Sequence, residues 1–329
     1  AGRDGIGAEL IKTGPEKLST CLHRLIVRIW ETEQLPEEWK QGVICPIYKK
    51  GDKLECENYR AITILNAVYK VLSQILFRRL SPIANEFVGS YQAGFVDGRS
   101  TTDQIFSVRQ ILQKCREYQV PTHHLFIDFK AAYDSIDRVE LWKIMDENSF
   151  PGKLTRLIRA TMEGVQNCVK VSGEHSSSFG SHRGLRQGDG LSCLLFNIVL
   201  EGVIRRLNSR GTIFTRSSQF VCFADDMDIV GRTFEKVADL YTRLKREAAK
   251  VGLVVNAAKT KYMIAGGAER DRARLGSSVT IDGDTFEMVD EFVYLGSLLT
   301  ADNNVAIKYG GTLSVEVGPT MASRRSCAH

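Results

Sequence analysis

The segment "FVCFADDMDIVG", residues 220–231, constrains the fold of this chain most, because it places two adjacent carboxylates inside an apolar run. β-Branched and aromatic residues on both sides of an acidic centre are typical of a β-hairpin. Adjacent desolvated carboxylates raise each other's pKa, so a strand interior would tolerate Asp225 and Asp226 poorly. A tight turn would present both acids at an exposed edge, and the simplest alternative is a solvated polar turn.

A third acid, Asp128, follows another apolar strand in "LFIDFKAAYD", 97 residues before Asp225. If the two strand ends meet, their carboxylates could hold hard cations such as Mg²⁺, which prefers oxygen ligands. Two such ions could stabilise the attacking and leaving oxygens of a phosphoryl transfer. We interpret the neighbouring acids Asp134 and Asp228 as a solvated turn acid or a helix N-cap.

Apolar periodicity predicts an α+β fold with mainly antiparallel strands and helices packed on one side. Helical spacing covers 15–35, 64–84, 101–118, 191–207 and 233–253, and the last of these helices ends at Gly252. Thr101 or Thr102 is the predicted N-cap of the helix in 101–118. Short strands are predicted within 42–52, 123–128, 219–231, 254–267, 277–290 and 291–299.

The composition of the 329-residue chain is that of an ordinary globular protein, with 43% hydrophobic residues. Its net charge of +5 is compatible with a polyanionic partner without demonstrating one. No apolar run reaches the roughly 18 residues of a membrane helix, so we expect no membrane partner. The eight cysteines form no Cys-x-x-Cys pair and the six histidines form no metal-binding spacing. We therefore expect reduced cysteines, no zinc site, and an intracellular location in the nucleus and/or the cytoplasm.

An aromatic-Ala-Asp-Asp hairpin after an Asp-bearing strand resembles reverse transcriptases, and most closely the polymerase domain of non-LTR (LINE-type) retrotransposons. The resemblance covers residues 3 to 300 and is specific because nine blocks occur in the family's order. They are "GRDGIGAELIK", "LPEEWKQGVICPIYKKGD", "NYRAITILNAVYK", "YQAGFVDGRSTTDQI", "FIDFKAAYDSID", "GLRQGDGLSCLLFNIVLE", "FADDMDIV", "NAAKTKYM" and "YLGSLLT".

The resemblance implies a right-hand polymerase fold with fingers and palm, a truncated or missing thumb, and an antiparallel palm sheet with helices on one face. We predict fingers with some palm elements in 1–120, the palm with motifs A to E in 121–304, and a divergent, disordered tail in 305–329. The opening without Met indicates a fragment or a processed product. For the tail we hypothesise a frameshift, a mis-joined exon or a truncation after about residue 304, and a missing thumb would lower processivity.

The resemblance also implies the catalytic and metal-binding residues. Asp128, Asp225 and Asp226, with the main-chain carbonyl of Phe129, would bind two Mg²⁺ ions, for which Mn²⁺ is a possible substitute. Lys259 would protonate the pyrophosphate leaving group, which is a general-acid role open to lysine.

Further residues are implied for the substrates. Arg60 and Lys50 would bind the triphosphate of the incoming deoxynucleotide (dNTP), Tyr133 would exclude a 2′-hydroxyl, and Gln187 would contact the nucleotide or the template. Arg99 is expected on the template backbone. Tyr294 and Gly296 are expected on the primer end. Family members often carry Pro where Gly190 and Cys193 stand, so we expect a looser turn at Gly190.

The function implied is RNA-directed DNA synthesis, in which a primer on an RNA template is extended with deoxynucleotides. One alternative is a truncated, catalytically silent nucleic-acid-binding relic of the same family, and another is a group II intron maturase. The absence of GxSxG and P-loop patterns disfavours a hydrolase. The sequence leaves the oligomeric state, the template and the target site open.

Overall fold

The computed structural model describes residues 2–207, 212–213, 218–266 and 275–303. The predicted tail, 305–329, lies outside the described residues. The described α-helices are α1 (Ala8–Lys12), α2 (Glu16–Thr32), α3 (Ala67–Phe87), α4 (Thr101–Glu117), α5 (Ala132–Ser135), α6 (Arg138–Glu147), α7 (Gly152–Met162), α8 (Gly190–Arg206) and α9 (Phe234–Lys250). None of these helices combines the length and apolar character needed to cross a membrane.

The strands form two larger sheets and one hairpin. The strands are β1 (Gln41–Tyr48), β2 (Tyr59–Ile64), β3 (Thr122–Ile127), β4 (Gln166–Val171), β5 (Glu174–His175), β6 (Phe179–Gly180), β7 (Ser218–Phe223), β8 (Asp226–Gly231), β9 (Lys261–Ala265), β10 (Ser278–Ile281), β11 (Asp284–Met288), β12 (Glu291–Tyr294) and β13 (Ser297–Thr300). We call β10-β11-β9-β3-β8-β7 the palm sheet and β2-β1-β4-β5, with β6 beside β4, the finger sheet.

The palm sheet has β3 at its centre, antiparallel to both β8 and β9. The side chains along its strands point alternately into two apolar layers, because successive residues of a β-strand face opposite sides of the sheet. Leu125 and Ile127 of β3 point into the main core, whereas Phe126 points into a second cluster on the opposite face. The mixed α/β architecture agrees with the predicted right-hand fold class. The prediction of helices on one face is wrong, because α4 packs on the face opposite to the main core, and the sheet is not wholly antiparallel, because β11 pairs parallel with β9.

The main core lies between the palm sheet and the helices α3, α6, α7, α8 and α9. Helix α8 is buried on nearly all sides, which explains why its sequence is apolar all round. The opposite face of the palm sheet is covered by α4 and by the β12–β13 hairpin. The sequence pattern does not predict this second cover, because α4 is far from its sheet neighbours in the chain.

The finger sheet joins distant parts of the chain. Strand β1 pairs antiparallel with β2 and parallel with β4, so that Val43 lies opposite both Ile64 and Cys168. The segment from β4 to β6 therefore shares a sheet with the N-terminal strands, although it follows residue 120. The division into fingers (1–120) and palm (121–304) stays a prediction.

Helix α4 begins one residue earlier than predicted, because Ser100 is its N-cap, not Thr101 or Thr102. The Ser100 hydroxyl accepts from the Asp103 N–H, and the Asp103 carboxylate accepts from the Ser100 N–H at 2.6 Å. This reciprocal capping box satisfies two otherwise unpaired backbone donors, which a threonine at 101 or 102 could not do with Asp103. Helix α9 ends just before Gly252, as predicted.

Candidate active site

The acids Asp225 and Asp226 lie at the turn of the predicted hairpin between β7 and β8. Phe223 pairs with Asp226, so Ala224 and Asp225 form the two-residue connection. Ala224 has a φ of +55°, in the left-handed region that favours glycine. Asp225 is half-buried and Asp226 is exposed. The tight turn thus brings both carboxylates to one edge of the palm sheet.

Asp128 is brought to the same edge by the neighbouring strand β3. The last paired residues of β3 and β8 are Ile127 and Met227, so continuing this register by one residue places Asp128 opposite Asp226. The Asp128 N–H donates to the Thr260 hydroxyl at 3.2 Å. Its Oδ2 is buried and accepts no hydrogen bond, and the Lys259 Nζ lies 3.8 Å from it. Asp128 is therefore held by its backbone while one carboxylate oxygen lacks a hydrogen-bond donor.

The three carboxylates interact electrostatically. Desolvation raises the pKa of Asp225, the charge of Asp128 adds to this shift, and the charge of Arg60 opposes it. Desolvation, followed by the charges of Asp225 and Asp128, raises the pKa of Asp226 to about 7. Mutual repulsion at a desolvated edge is what a site for multivalent cations needs, because a cation removes the repulsion.

The donor set at this edge fits a hard divalent cation. Carboxylate oxygens suit Mg²⁺ and Mn²⁺, and the buried Asp128 Oδ2 has no hydrogen bond that a cation would have to displace. The Lys130 N–H donates to the main-chain carbonyl of Val254, and the Asn256 N–H donates to the main-chain carbonyl of Asp128. The Phe129 carbonyl between them therefore points away from 254–256. Within the described ranges, no three carboxylate, thiol or imidazole side chains enclose a metal position. The site is an open edge, not a closed protein cage.

The predicted cationic residues stand at different distances from the acids. Lys259 is 70% exposed and borders Asp128. Arg60, on β2 of the finger sheet, is close enough for its charge to lower the pKa of Asp225. Lys50 lies exposed in the loop after β1. Its neighbour Lys49 is the residue whose charge acts on Asp134.

Tyr133 lies in α5, five residues after Asp128, and Gln187 lies in the loop before α8. The Tyr133 ring is half-buried and stacks on Phe196 of α8, with ring centroids 4.6 Å apart and planes at 20°. The Gln187 side-chain amide donates to the Asp134 carboxylate at 2.9 Å, and the main-chain carbonyl of Gln187 accepts from the Thr63 N–H at 2.7 Å. Of the two predicted roles for Asp134, the helix N-cap is wrong, because Asp134 lies within α5, whose N-cap is Ala131; it is an exposed acid that binds Gln187.

The glycine-rich loop before α8 is more tightly held than the sequence suggests. Asp189 caps α8 and also accepts from the hydroxyls of Tyr69, at 2.6 Å, and Ser73. Gly188 has a φ of +118°, and a Cβ there would lie 2.5 Å from the Thr63 carbonyl oxygen. Gly190 is the first residue of α8, so the expectation of a looser turn there is wrong: the buried Asp189 fastens the loop to α3.

The residues predicted for template and primer are not gathered at the acids by their side chains. The Arg99 guanidinium donates to the carbonyls of Gly89 and Gln92. Tyr294 is buried beneath the palm sheet, and its hydroxyl donates to the Val221 carbonyl at 3.3 Å. Gly296 lies in the turn of the β12–β13 hairpin with a φ of +83°. Only the turn of this hairpin, not the Tyr294 ring, is presented outward.

Two further features of the site were not predicted from the sequence. Asp228 is fully buried and its Oδ2 lies 2.9 Å from the Nδ1 of buried His124, so its interpretation as a solvated turn acid or N-cap is wrong. Both residues lie on the same face of paired strands, which a linear pattern does not reveal. The second feature is Gln92, which binds the backbone of Ala224. The only sequence signal was its place in "YQAG", one of the blocks of the resemblance.

Comparison with known proteins supports the family. Residues 47–299, most of the chain, match the model of the family described as reverse transcriptase (RNA-dependent DNA polymerase). The telomerase of Candida tropicalis, solved with a TWJ fragment of telomeric RNA, superposes with a TM-score of 0.55 at 15% identity, covering 78% of this chain and 46% of that one. At this identity the likeness shows the fold alone.

Curated relatives come from retrotransposons. The Pol polyprotein of the type-2 retrotransposable element R2DM of Drosophila melanogaster is 24% identical over 92% of this chain. The 115 kDa protein of the type-1 element R1DM is 26% identical over 90% of this chain. The chain spans 29% and 28% of these two proteins. The chain belongs to the reverse transcriptase (RNA-dependent DNA polymerase) family.

Proposed function

We propose that this chain catalyses RNA-directed DNA synthesis by two-metal nucleotidyl transfer, extending a DNA primer on an RNA template. The observation that carries the proposal is the meeting of Asp128, Asp225 and Asp226 at one edge of the palm sheet, where the charge of Asp128 raises the pKa of both hairpin acids and the charge of Asp225 raises that of Asp226. This arrangement has an evident use in binding two divalent cations and a triphosphate. It has no evident use in stabilising the fold.

Asp128, Asp225, Asp226 and the Phe129 carbonyl would hold two Mg²⁺ ions, with Mn²⁺ as a possible substitute. When bound, the ions would supply Lewis-acid stabilisation of the attacking and leaving oxygens. In the reaction, the primer 3′-oxygen forms a bond to the α-phosphorus of the dNTP, and the bond from that phosphorus to pyrophosphate breaks. The 3′-hydroxyl would give its proton to solvent water. Lys259, exposed beside Asp128, would give a proton to the leaving pyrophosphate and take one back from solvent.

The remaining residues would bind and orient the substrates. Arg60 suits the triphosphate because its guanidinium offers paired donors, and Lys50 would add charge from the neighbouring loop. The Tyr133 ring, supported by Phe196, would fill the space that a 2′-hydroxyl requires. Gln187 lies at the entrance between finger and palm sheets, where it would contact the nucleotide or the template. Base pairing would supply sequence choice.

Template and primer contacts would run along both sides of this site. The backbone around Gly296 would contact the primer end, while Tyr294 would support that turn from below by packing near Phe126. Arg99 would act on the template mainly by ordering the loop that it binds. The proposed location, nucleus and/or cytoplasm, rests only on the cysteine pattern.

The second candidate is a nucleic-acid-binding relic without catalysis. It is favoured by the internal bonds of Arg99, whose guanidinium donates to two main-chain carbonyls of this chain and not to a template. A relic of this kind would bind template–primer and leave the primer unextended.

Primer extension on an RNA template with Mg²⁺ and deoxynucleotides distinguishes the two functions. The parent chain should extend the primer. The Asp225→Ala, Asp226→Ala double variant should not, while retaining template–primer binding. Asp97→Ala, at an exposed loop position, is the matched control and should extend like the parent. Binding by the parent without extension would establish the relic instead.

A further inference from the structure

The turn that carries Asp225 and Asp226 needs an external support. Its first residue, Ala224, has a φ of +55°, which places a Cβ-bearing residue in a conformation that an isolated chain disfavours. Such conformations persist at functional sites where surrounding structure holds them. The question is which group holds Ala224.

One side chain binds both backbone groups of Ala224. The Gln92 Oε1 accepts from the Ala224 N–H at 2.8 Å, and the Gln92 Nε2 donates to the Ala224 carbonyl at 3.3 Å. The same Oε1 also accepts from the Gly94 N–H at 2.8 Å. Gln92 is 2% exposed, so water does not compete for these bonds. A carboxamide is suited to this task because one planar group carries a donor and an acceptor.

The segment that presents Gln92 is itself fixed against the hairpin. The Cys222 N–H donates to the Tyr91 carbonyl at 2.8 Å, and the Ala93 N–H donates to the Cys222 carbonyl at 2.9 Å. Gly94 approaches the turn so closely that a Cβ there would lie 2.2 Å from the Ala224 nitrogen. Its carbonyl accepts from the buried Asn197 amide of α8 at 2.7 Å. These hydrogen bonds and the close approach of Gly94 therefore hold the segment that carries Gln92 in a fixed position against the hairpin.

We infer that Gln92 is a positioning residue for the carboxylates of Asp225 and Asp226, holding Ala224 in the conformation from which both acids reach the divalent cations. This inference rests on the proposed function and deepens it. Gln92 itself touches neither a substrate nor a cation. Its loss would let the turn relax toward a more extended conformation, and the site would then bind cations less well.

The test is direct Mn²⁺ binding to the full 329-residue chain, measured by electron paramagnetic resonance without nucleotide. Gln92→Met keeps the side-chain volume and removes both hydrogen-bonding groups. We expect it to weaken Mn²⁺ binding about tenfold, as loss of a group that orients metal ligands typically does. The Mg²⁺ concentration for half-maximal extension should rise by a similar factor, while template–primer affinity should not change.

Gln104→Met is the matched control. Gln104 is also a buried glutamine, 5% exposed, and its amide binds the Tyr91 and Cys222 carbonyls but not Ala224. It should lower the melting temperature while leaving Mn²⁺ affinity at the parent value. Equal weakening of Mn²⁺ binding by both variants, or no weakening by Gln92→Met, would overturn the inference.

A second variant tests the mechanism by rescue. Ala224→Gly removes the conformational cost of a positive φ, so in the Gln92→Met background it should restore Mn²⁺ binding about fivefold. No recovery would contradict a role exerted through Ala224. If Gln92→Met does not fold, Gln92→Asn, whose carboxamide is one methylene shorter and cannot reach both backbone groups of Ala224 from the same position, carries the same test. Mn²⁺ binding is measured without polymerisation. If the parent chain binds Mn²⁺ but does not extend a primer, the proposed function is refuted, and the comparison of Gln92→Met with the parent still shows whether Gln92 supports cation binding.

Discussion

Asp128 and Asp226 flank Ile127 and Met227, the last pair of the β3–β8 ladder, and the charge of Asp128 raises the pKa of Asp226. Like charges that lie close together on neighbouring antiparallel strands are destabilising. Asp225 adds a third charge from the adjoining turn. The edge is therefore electrostatically strained in the absence of cations, and this strain makes several properties measurable.

Thermal stability without divalent cations should depend on pH through Asp226. Desolvation and the charges of Asp225 and Asp128 raise its pKa from 3.8 to about 7, so the folded chain holds this proton more tightly than the unfolded chain. Its contribution to stability is then most favourable below about pH 4 and is lost as pH rises through 7. We expect the melting temperature of Asp226→Asn, minus that of the parent, to grow between pH 5 and pH 8.

The control for the pH experiment is Asp97→Asn, at an exposed loop position. Its melting temperature should follow that of the parent across the same pH range. A constant difference between Asp226→Asn and the parent from pH 5 to pH 8 would show that Asp226 titrates at its ordinary pKa.

Arg60 should contribute to dNTP binding. Its charge already acts on Asp225 across the gap between the two sheets, so it lies where a triphosphate next to the acids would be bound. Arg60→Ala should raise the KM for dNTP about tenfold, the effect of losing a charge-assisted contact of roughly 1.5 kcal/mol. Steady-state primer extension measures this, and Arg78→Ala, on the exposed side of α3, should leave the KM unchanged. An unchanged KM in Arg60→Ala would place the triphosphate elsewhere.

Sugar selection should depend on the stacked pair of Tyr133 and Phe196. Tyr133→Ala should increase ribonucleotide use relative to deoxynucleotide use by about tenfold or more, because the discrimination rests on steric exclusion. Phe196→Leu should produce a smaller change in the same direction, since the Tyr133 ring loses its stacking surface. Competitive single-nucleotide incorporation measures the ratio.

The control for the sugar-selection experiment is Phe87→Leu, at a buried ring that contacts Phe150 within the core. It should cost stability without changing the selectivity ratio. If Phe196→Leu alters stability but leaves the ratio at the parent value, the stack has no role in selecting the sugar.

The buried cap Asp189 should matter more for stability than an exposed cap. Asp189→Ala removes the α8 cap and leaves the buried hydroxyls of Tyr69 and Ser73 without their acceptor, so we expect a loss of about 3 kcal/mol in the free energy of unfolding. Asp137→Ala removes the cap of α6, where the carboxylate is half-exposed, and should cost about 1 kcal/mol. Denaturant unfolding of both variants compares the two values, and equal losses would show that the bonds to α3 contribute nothing.

Local interactions explain what could be predicted. The helix over 64–84 was predicted from Val68, Leu72 and Leu76, which are buried as expected. The β7–β8 hairpin followed from two adjacent acids that a strand interior could not accommodate. In both cases, side-chain periodicity and the cost of burying charge act over a few residues, so the chain order alone contains the information.

Contacts between distant segments explain what could not be predicted. Tyr294 was expected to face the primer, yet its ring is buried against Phe126, 168 positions earlier in the chain. Asp228 was interpreted as a surface acid, yet it pairs with His124 inside the sheet. In each case, burial depends on which strand lies alongside and which element covers the sheet.

The sequence by itself determined the family, the α+β class, most helices and strands, and the identity of the three acids. Each of these follows from short-range patterns or from ordered motifs. Only the tertiary structure decided that Asp128 meets Asp226, that β4–β6 completes the finger sheet, and that Gln92 holds Ala224. The reason is that strand register and the burial of polar side chains are set by pairing between segments up to about 140 residues apart. Their hydrogen bonds and packing are satisfied only once the whole fold has formed.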